Sequence, residues 1–255
     1  MIDPFIFVCA VFGLAIGSFA NVCVHRLPEH KSIISPGSHC PACREPIAWY
    51  DNIPVISFLL LKGRCRHCQT TISLRYPFLE LCIGASWAYL AWHFGPSIQL
   101  AMALSLVSLL WILSLIDLET GLLPDVLTLP GIVVGFAFSL WAGNPVDSLV
   151  GAVAGYGVFW AVARAFLLFT GREGLGYGDF KLLAMLGAFF GWQALPSIVL
   201  LASLAGIVIG SLFLLTSGKH ARSQIPFGPF LAAGGVIWLL GWEHLVPWFA
   251  SLVSA

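Results

Sequence analysis

The sequence predicts an all-α polytopic membrane protein of about eight transmembrane helices, with a small stapled cytoplasmic loop domain between helices 1 and 2. Three observations carry that expectation. Of 255 residues, 59% are hydrophobic and 9% charged, at a mean hydropathy of +0.92; an ordinary soluble domain is about 25% charged. Apolar stretches near the roughly 20 residues of a spanning helix recur along most of the chain. One long polar segment, 25–75, interrupts them and holds two cysteine pairs. This composition excludes a soluble globular domain, and it excludes disorder, which needs high charge and low hydrophobicity. Twelve Lys+Arg balance twelve Asp+Glu, so there is no basic excess to serve a nucleic-acid partner.

In chain order the predicted spans are about 5–24, 76–94, 97–116, 126–142, 148–169, 179–193, 196–216 and 228–250. The first lacks a basic n-region and a small-residue cleavage pattern, and Phe5 to Val24 is too long for a signal-peptide core, so it reads as retained. The sixth, Asp179 to Gln193, is short and punctuated by glycine, with a tilted or re-entrant segment as the alternative. The domains expected are 1–24, the first helix; 25–75, the loop domain; and 76–255, a membrane domain of about seven helices.

Charge gives the orientation. If the spans alternate, Arg26, Lys31, Arg44, Lys62, Arg64, Arg66, Arg75, Arg172, Lys219 and Arg222 fall in loops on one side, and no Lys or Arg falls on the other. Arg164 and Lys181 lie in spans, within snorkelling reach of that same side. The positive-inside rule makes that side cytoplasmic and puts both termini on the opposite side.

The 25–75 loop carries seven of the twelve cations against three acids. Its staple is Cys40-Pro-Ala-Cys43 followed by Cys65-Arg-His-Cys68, two C-x-x-C knuckles 21 residues apart. Four thiolates at this spacing suit a tetrahedral zinc ion, and a reducing cytoplasm disfavours disulfides. Thiol redox chemistry and unliganded thiols remain the alternatives. His39 and His67 flank the knuckles, but four thiols suffice. Cys9, Cys23 and Cys82 read as small apolar residues of the spans.

The second constellation is acidic. Asp117 ends the third span, Asp125 opens the fourth, and Asp179 opens the sixth within Gly176-Tyr177-Gly178-Asp179-Phe180-Lys181. Ionisable groups at a membrane boundary are expensive and are candidate functional groups; the structural alternative is helix capping. Two facing aspartates that share a proton can hydrolyse a peptide, one as base toward water and the other as acid toward the carbonyl. No His-Glu-x-x-His or Gly-x-Ser-x-Gly motif supports another hydrolase class. Gly176 and Gly178 leave bare backbone that suits the approach of an extended peptide. From helix ends alone, Asp117 holds the shared proton and Asp179 is the base, because a helix C-terminus disfavours negative charge and an N-terminus favours it. The rival readings are a non-catalytic zinc-stapled scaffold, a membrane thiol oxidoreductase and a transporter, the last of which would put its ionisable groups nearer the midplane.

These residues carry a family resemblance over nearly the whole chain. Gly17-Ser18-Phe19-Ala20-Asn21-Val22, Arg26-Leu27-Pro28, both knuckles, Trp49-Tyr50-Asp51-Asn52-Ile53-Pro54 and Arg75-Tyr76-Pro77 with Glu80 come first. Asp117 with Leu123-Pro124-Asp125, Gly176-Tyr177-Gly178-Asp179 and Pro226-Phe227-Gly228-Pro229-Phe230 follow. In this order they resemble the bacterial type IV prepilin peptidase and N-methyltransferase family, membrane aspartic proteases of the G-x-G-D type. The resemblance implies Asp117 and Asp179 as the catalytic pair and Asp125 as auxiliary. It implies prepilin or type II secretion pseudopilin substrates with a short basic leader, cut at the cytoplasmic face of the inner membrane. It also implies methylation of the new α-amine from S-adenosylmethionine, with Glu80 a candidate participant near the loop, or else a helix-end acid paired with Arg75. Gly176, Gly178 and Lys181 are further auxiliary candidates, and Glu119 is one of the acids a basic leader would meet.

Overall fold

The computed structural model describes residues 3–171, 176–217 and 226–241. Among them the fold is helical, with no β-strand and only two isolated bridges, both in the polar loop. The chain divides into two compact units, Met1–Ile112 and Leu113–Ala255.

The first unit is built on α1 (Pro4–Arg26) and α3 (Arg75–Phe94), which pack along each other. Asp3 caps α1 by accepting the Phe5 N–H at 2.9 Å, and Pro4 supplies a fixed φ at the first turn. Where the two helices meet the polar loop, buried Asn21 donates to the carbonyls of Gly17 and Tyr76 at 3.3 and 3.1 Å. The N-terminal part of α4 (Ile98–Thr120) joins α3 through two indole–hydroxyl bonds, Trp87 to Ser108 at 3.0 Å and Trp111 to Ser86 at 3.1 Å. Between α1 and α3 the loop holds one short helix, α2 (Ile56–Leu60), and a 3₁₀ turn at Trp49–Asp51.

The second unit takes the end of α4, α5 (Asp125–Ala142), α6 (Pro145–Thr170), α7 (Tyr177–Phe190), α8 (Leu195–Ser217) and α9 (Gly228–Leu239). Its centre is α7. Every residue from Asp179 to Phe189 except Lys181 is buried, because α5, α6 and α9 all pack against it. Gly151 of α6 and Gly187 of α7 bring these two backbones into direct contact, where no side chain intervenes.

Among the described residues a helix lies along each predicted stretch, the last of them only over Gly228–Leu239. Among the described residues five are long and apolar enough to cross a membrane: α1, α4, α5, α6 and α8 with its preceding turn; α3, predicted as a span, is not among them. The 14 residues of α7 are fewer than a span needs, yet as a helix buried on all sides it need not meet lipid over its length. α9 has 12 residues and ends at Leu239, with Leu240 as its C-cap and Gly241 in a turn at φ +112°, so the expected 228–250 span does not run through as one helix; residues 242–250 lie outside the described residues. Arg172, Lys219 and Arg222, used for orientation, lie outside them too. After α9, the largest difference in boundary is at α4, which runs a turn beyond the predicted 116. Thr120 Oγ1 donates to the Ile116 carbonyl at 2.8 Å, and Gly121, at φ +66°, closes the helix by donating to the Asp117 carbonyl at 2.8 Å.

Candidate active site

In the second unit Asp117 stands in the last turn of α4 and Asp179 in the first turn of α7. Both are buried, at 6% and 9% exposure, and they lie close enough to interact electrostatically. Leu123, in the turn between α4 and α5, marks how tightly these segments converge. A Cβ built on Gly178 would fall 2.7 Å from Leu123 Cβ, and one on Gly228 would fall 3.4 Å from its Cδ1. The space beside Gly178, expected to admit substrate backbone, is therefore occupied by Leu123. Among the described residues an added Cβ at Gly176 would meet only Asp179 Oδ2, at 3.5 Å, and the Gly176 backbone is hydrogen-bonded to the Asp179 carboxyl.

Two features near the pair were not read from the sequence. The first residue of α9, Gly228, donates its N–H to Asp117 Oδ2 at 2.9 Å. The second is the fate of Asp125 and Lys181, which pair with each other at 2.5 Å between α5 and α7. Lys181 thus has a carboxylate partner instead of simply snorkelling to water. α5 is entered from Pro124 and α7 from Gly176, so neither Asp125 nor Asp179 stands at the N-cap position. Motif Pro226-Phe227-Gly228-Pro229-Phe230 was the signal available for Gly228, but nothing in its sequence names Asp117 as the partner.

An aromatic cluster holds this corner in place. Phe180 meets Tyr156, Phe159 and Tyr177 at ring-centre distances of 5.8, 6.4 and 5.4 Å, and Phe227 meets Phe159 and Phe230 at 6.2 and 6.3 Å. Rings from α6, α7 and the start of α9 so fix the residue that precedes Gly228.

The first unit holds the cysteines. The Sγ atoms of Cys40, Cys43, Cys65 and Cys68 all lie within 4.8 Å of one another, with Cys40–Cys68 at 3.7 Å and Cys43–Cys65 at 4.0 Å. Zinc–thiolate bonds of about 2.3 Å in a tetrahedron put the sulfurs about 3.8 Å apart. These separations are far beyond a disulfide bond of about 2.05 Å, and all four are free thiols. The cluster can hold a metal ion without a histidine; His39 instead turns Nδ1 toward the Gly37 carbonyl at 3.0 Å. The two knuckles have the same backbone design. Cys40 and Cys65 donate N–H to Glu45 and Thr70 carbonyls, Arg44 and Gln69 follow each pair at positive φ, and the bridges His39–Pro46 and Arg64–Thr71 flank them. The Thr70 hydroxyl beside Cys68 holds that thiol low, at about 6, whereas Cys43, despite its backbone bond to Glu45, is pushed up to about 12 by desolvation and the three neighbouring thiols.

Asp51 reaches from the 3₁₀ turn to the second knuckle and grips Arg66 in a bidentate pair at 2.6 and 2.7 Å; the same guanidinium lies 5.6 Å over the Tyr50 ring. Arg26, at the end of α1, ties down the other end of the loop through the carbonyls of Ser32 and Gly37. Buried Glu80 accepts the Val55 N–H at 2.7 Å and also bonds Ser18. Val55 itself is held at φ +60°, rare for a β-branched residue. Around Glu80 lies a cavity of about 290 Å³ lined among others by Asn21, Arg26, His39, Asn52 and Tyr76.

Comparison with known proteins divides the chain similarly. Residues 11–94 match the bacterial peptidase A24 N-terminal domain and residues 104–211 match the type IV leader peptidase family. A prepilin leader peptidase/N-methyltransferase of Aeromonas salmonicida is 44% identical over 270 residues, covering 95% of this chain and 93% of the relative. Proteins of the same name from Pseudomonas aeruginosa (42% identical, 94% and 92% covered) and Klebsiella pneumoniae (51% identical, 78% and 92% covered) are also similar. No solved structure matches.

Proposed function

The chain belongs to the type IV leader peptidase family, and on that premise we propose that it removes the leader from prepilins or pseudopilins and then N-methylates the new terminus. The observation that supports the peptidase reading is the meeting of two buried aspartates, 117 and 179, at helix ends brought together in one unit. One carboxylate takes a proton from water as the water oxygen attacks the scissile carbonyl carbon, while the other carboxyl gives its proton to the carbonyl oxygen. As the C–N bond breaks, the first acid protonates the leaving amine and the second recovers its proton from the tetrahedral intermediate. Asp125 and Lys181 lock α5 to α7 beside this pair. The protein is a multi-pass inner-membrane protein; the loop and the pair face the cytoplasm, where a basic leader enters, and both termini face away.

In the first unit, Cys40, Cys43, Cys65 and Cys68 hold a structural zinc ion, which closes the two knuckles on each other. The Glu80 cavity is the site of methylation. Its size is at the lower end of ligand pockets, roughly 300–1,000 Å³, and its buried carboxylate and amide side chains suit a donor that carries a sulfonium charge and hydroxyls. S-adenosylmethionine supplies an electrophilic methyl group there. Glu80 stands at the cavity wall as a group able to take a proton from the amine to be methylated.

The test is incubation of the detergent-solubilised protein with a prepilin, read by mass spectrometry. Leader loss followed by the gain of one methyl group is expected. Cleavage must vanish in Asp117→Ala and in Asp179→Ala; a variant of either that still cuts overturns the two-aspartate reading.

A further inference from the structure

We infer that the Gly228 amide is a positioning group that keeps Asp117 ionised, which makes Asp117 the base toward water and Asp179 the acid of the pair; this deepens, and rests on, the two-aspartate reading. The hydrogen bond of 2.9 Å runs from Gly228 N–H to Asp117 Oδ2, and both partners are buried. A carboxylate that accepts an N–H in a dry site is favoured over the neutral acid, because the bond is charge-assisted only in the ionised form. Gly228 is the first residue of α9, so the field of that helix end also favours an anion at the same oxygen. The aim of the amide is set by packing, since Phe227 before it is wedged against Phe159 and Phe230. Only glycine permits the contact: a Cβ at 228 would lie 2.6 Å from Asp117 Oδ2.

The sequence alone gave the opposite assignment, from the α4 C-terminus under Asp117 and the α7 N-terminus under Asp179. The field at an end falls off within a turn, whereas the amide of α9 touches the carboxylate directly. Asp179 has a backbone partner too, Gly176 at the entry to α7, but that residue is exposed whereas Gly228 is buried, so the bond to Asp117 lies in the drier site and is the stronger. Asp179 of α7 interacts with Asp117, Lys181 of α7 and Asp125 of α5 are paired with each other, and Glu119 shares the helix of Asp117. The described residues of α9 carry no ionisable side chain. With Oδ2 held by the amide, Oδ1 is left for the water. The proton then moves from water to Asp117, and from Asp179 to the carbonyl oxygen; on breakdown Asp117 gives its proton to the amine nitrogen and Asp179 regains one from the intermediate's hydroxyl.

The experiment measures kcat and KM for prepilin cleavage by the full chain across pH. Glycolic acid is placed at position 228, which exchanges the N–H for an ester oxygen and leaves the side chain absent. Loss of the donor raises the pH at which the base ionises, so the acidic limb of the kcat profile moves up by about one to two pH units with KM little changed. Gly228→Ala, which pushes Asp117 aside, loses kcat more severely. A limb that stays in place in the ester variant, with kcat lowered equally at every pH or not at all, overturns the inference while Asp117→Ala and Asp179→Ala remain inactive. Cleavage by either alanine variant is the separate failure of the peptidase reading itself.

Discussion

Lys181 Nζ lies 2.5 Å from Asp125 Oδ1, joining the first turn of α7 to the first residue of α5, two residues along the chain from Asp179. Both side chains are partly exposed, 26% for Lys181 and 57% for Asp125, so the pair contributes little to stability, roughly 0–1 kcal/mol. Its effect is on position. Asp125→Asn and Lys181→Met are each expected to lower kcat several-fold with melting temperature nearly unchanged. The double variant is expected to be no worse than the poorer single one, since both remove one contact. Additive losses in the kinetic cycle would show that each acts separately.

The thiol geometry predicts one tightly held metal ion per chain. Elemental analysis of the purified protein should find zinc at one equivalent, and Cys40→Ser should lose it. Metal binding at such sites contributes on the order of 10 kcal/mol to local folding, so the variant should also expose the 25–75 loop to proteolysis. A metal content unaffected by Cys40→Ser and Cys65→Ser would be incompatible with the tetrad.

Asp51 provides a pH test outside the membrane. The hydrogen bonds from Arg66 hold its carboxyl below the ordinary carboxylate range. The folded value is thus depressed relative to an unfolded value of about 3.9. Its stabilisation of the loop is present above that pH and is lost as pH falls through the depressed value. Hydrogen exchange at residues 49–54 should accelerate in that acidic window, and Asp51→Asn should remove this step while exchanging faster at neutral pH.

The α6–α7 contact predicts an asymmetry between two glycines of the second unit. At Gly187 an added Cβ collides with the backbone of Gly151, which has no flexible end to move aside. Gly187→Ala should cost about 1–3 kcal/mol and shift α7, lowering cleavage as well. At Gly157 nothing among the described residues lies within 4 Å of an added Cβ, so Gly157→Ala should be neutral or stabilise the helix by up to about 1 kcal/mol. Thermal unfolding of both variants in the same detergent distinguishes them.

Much of this was legible in the sequence wherever the signal is local. Apolar length located the helices, since burial in lipid is decided by composition over one stretch of chain. Two C-x-x-C pairs located the four-cysteine cluster that can hold a metal ion, because each knuckle is a tight turn that forms within a few residues. Asp117 and Asp179 stood out because a carboxylate is costly at such a position wherever its partner lies. What the sequence left open was contact between distant residues. Gly228 meets Asp117 across 111 positions, Lys181 meets Asp125 across 56, and Glu80 holds Val55 across 25. No periodicity encodes such pairings, which arise only when helices pack. Leu123 shows the same limit, filling the space at Gly178 that bare backbone alone suggested was open. The sequence by itself determined which residues are present with the chemistry for hydrolysis and metal binding. The tertiary structure decided which neighbour each one faces, because such contacts form only when distant helices pack.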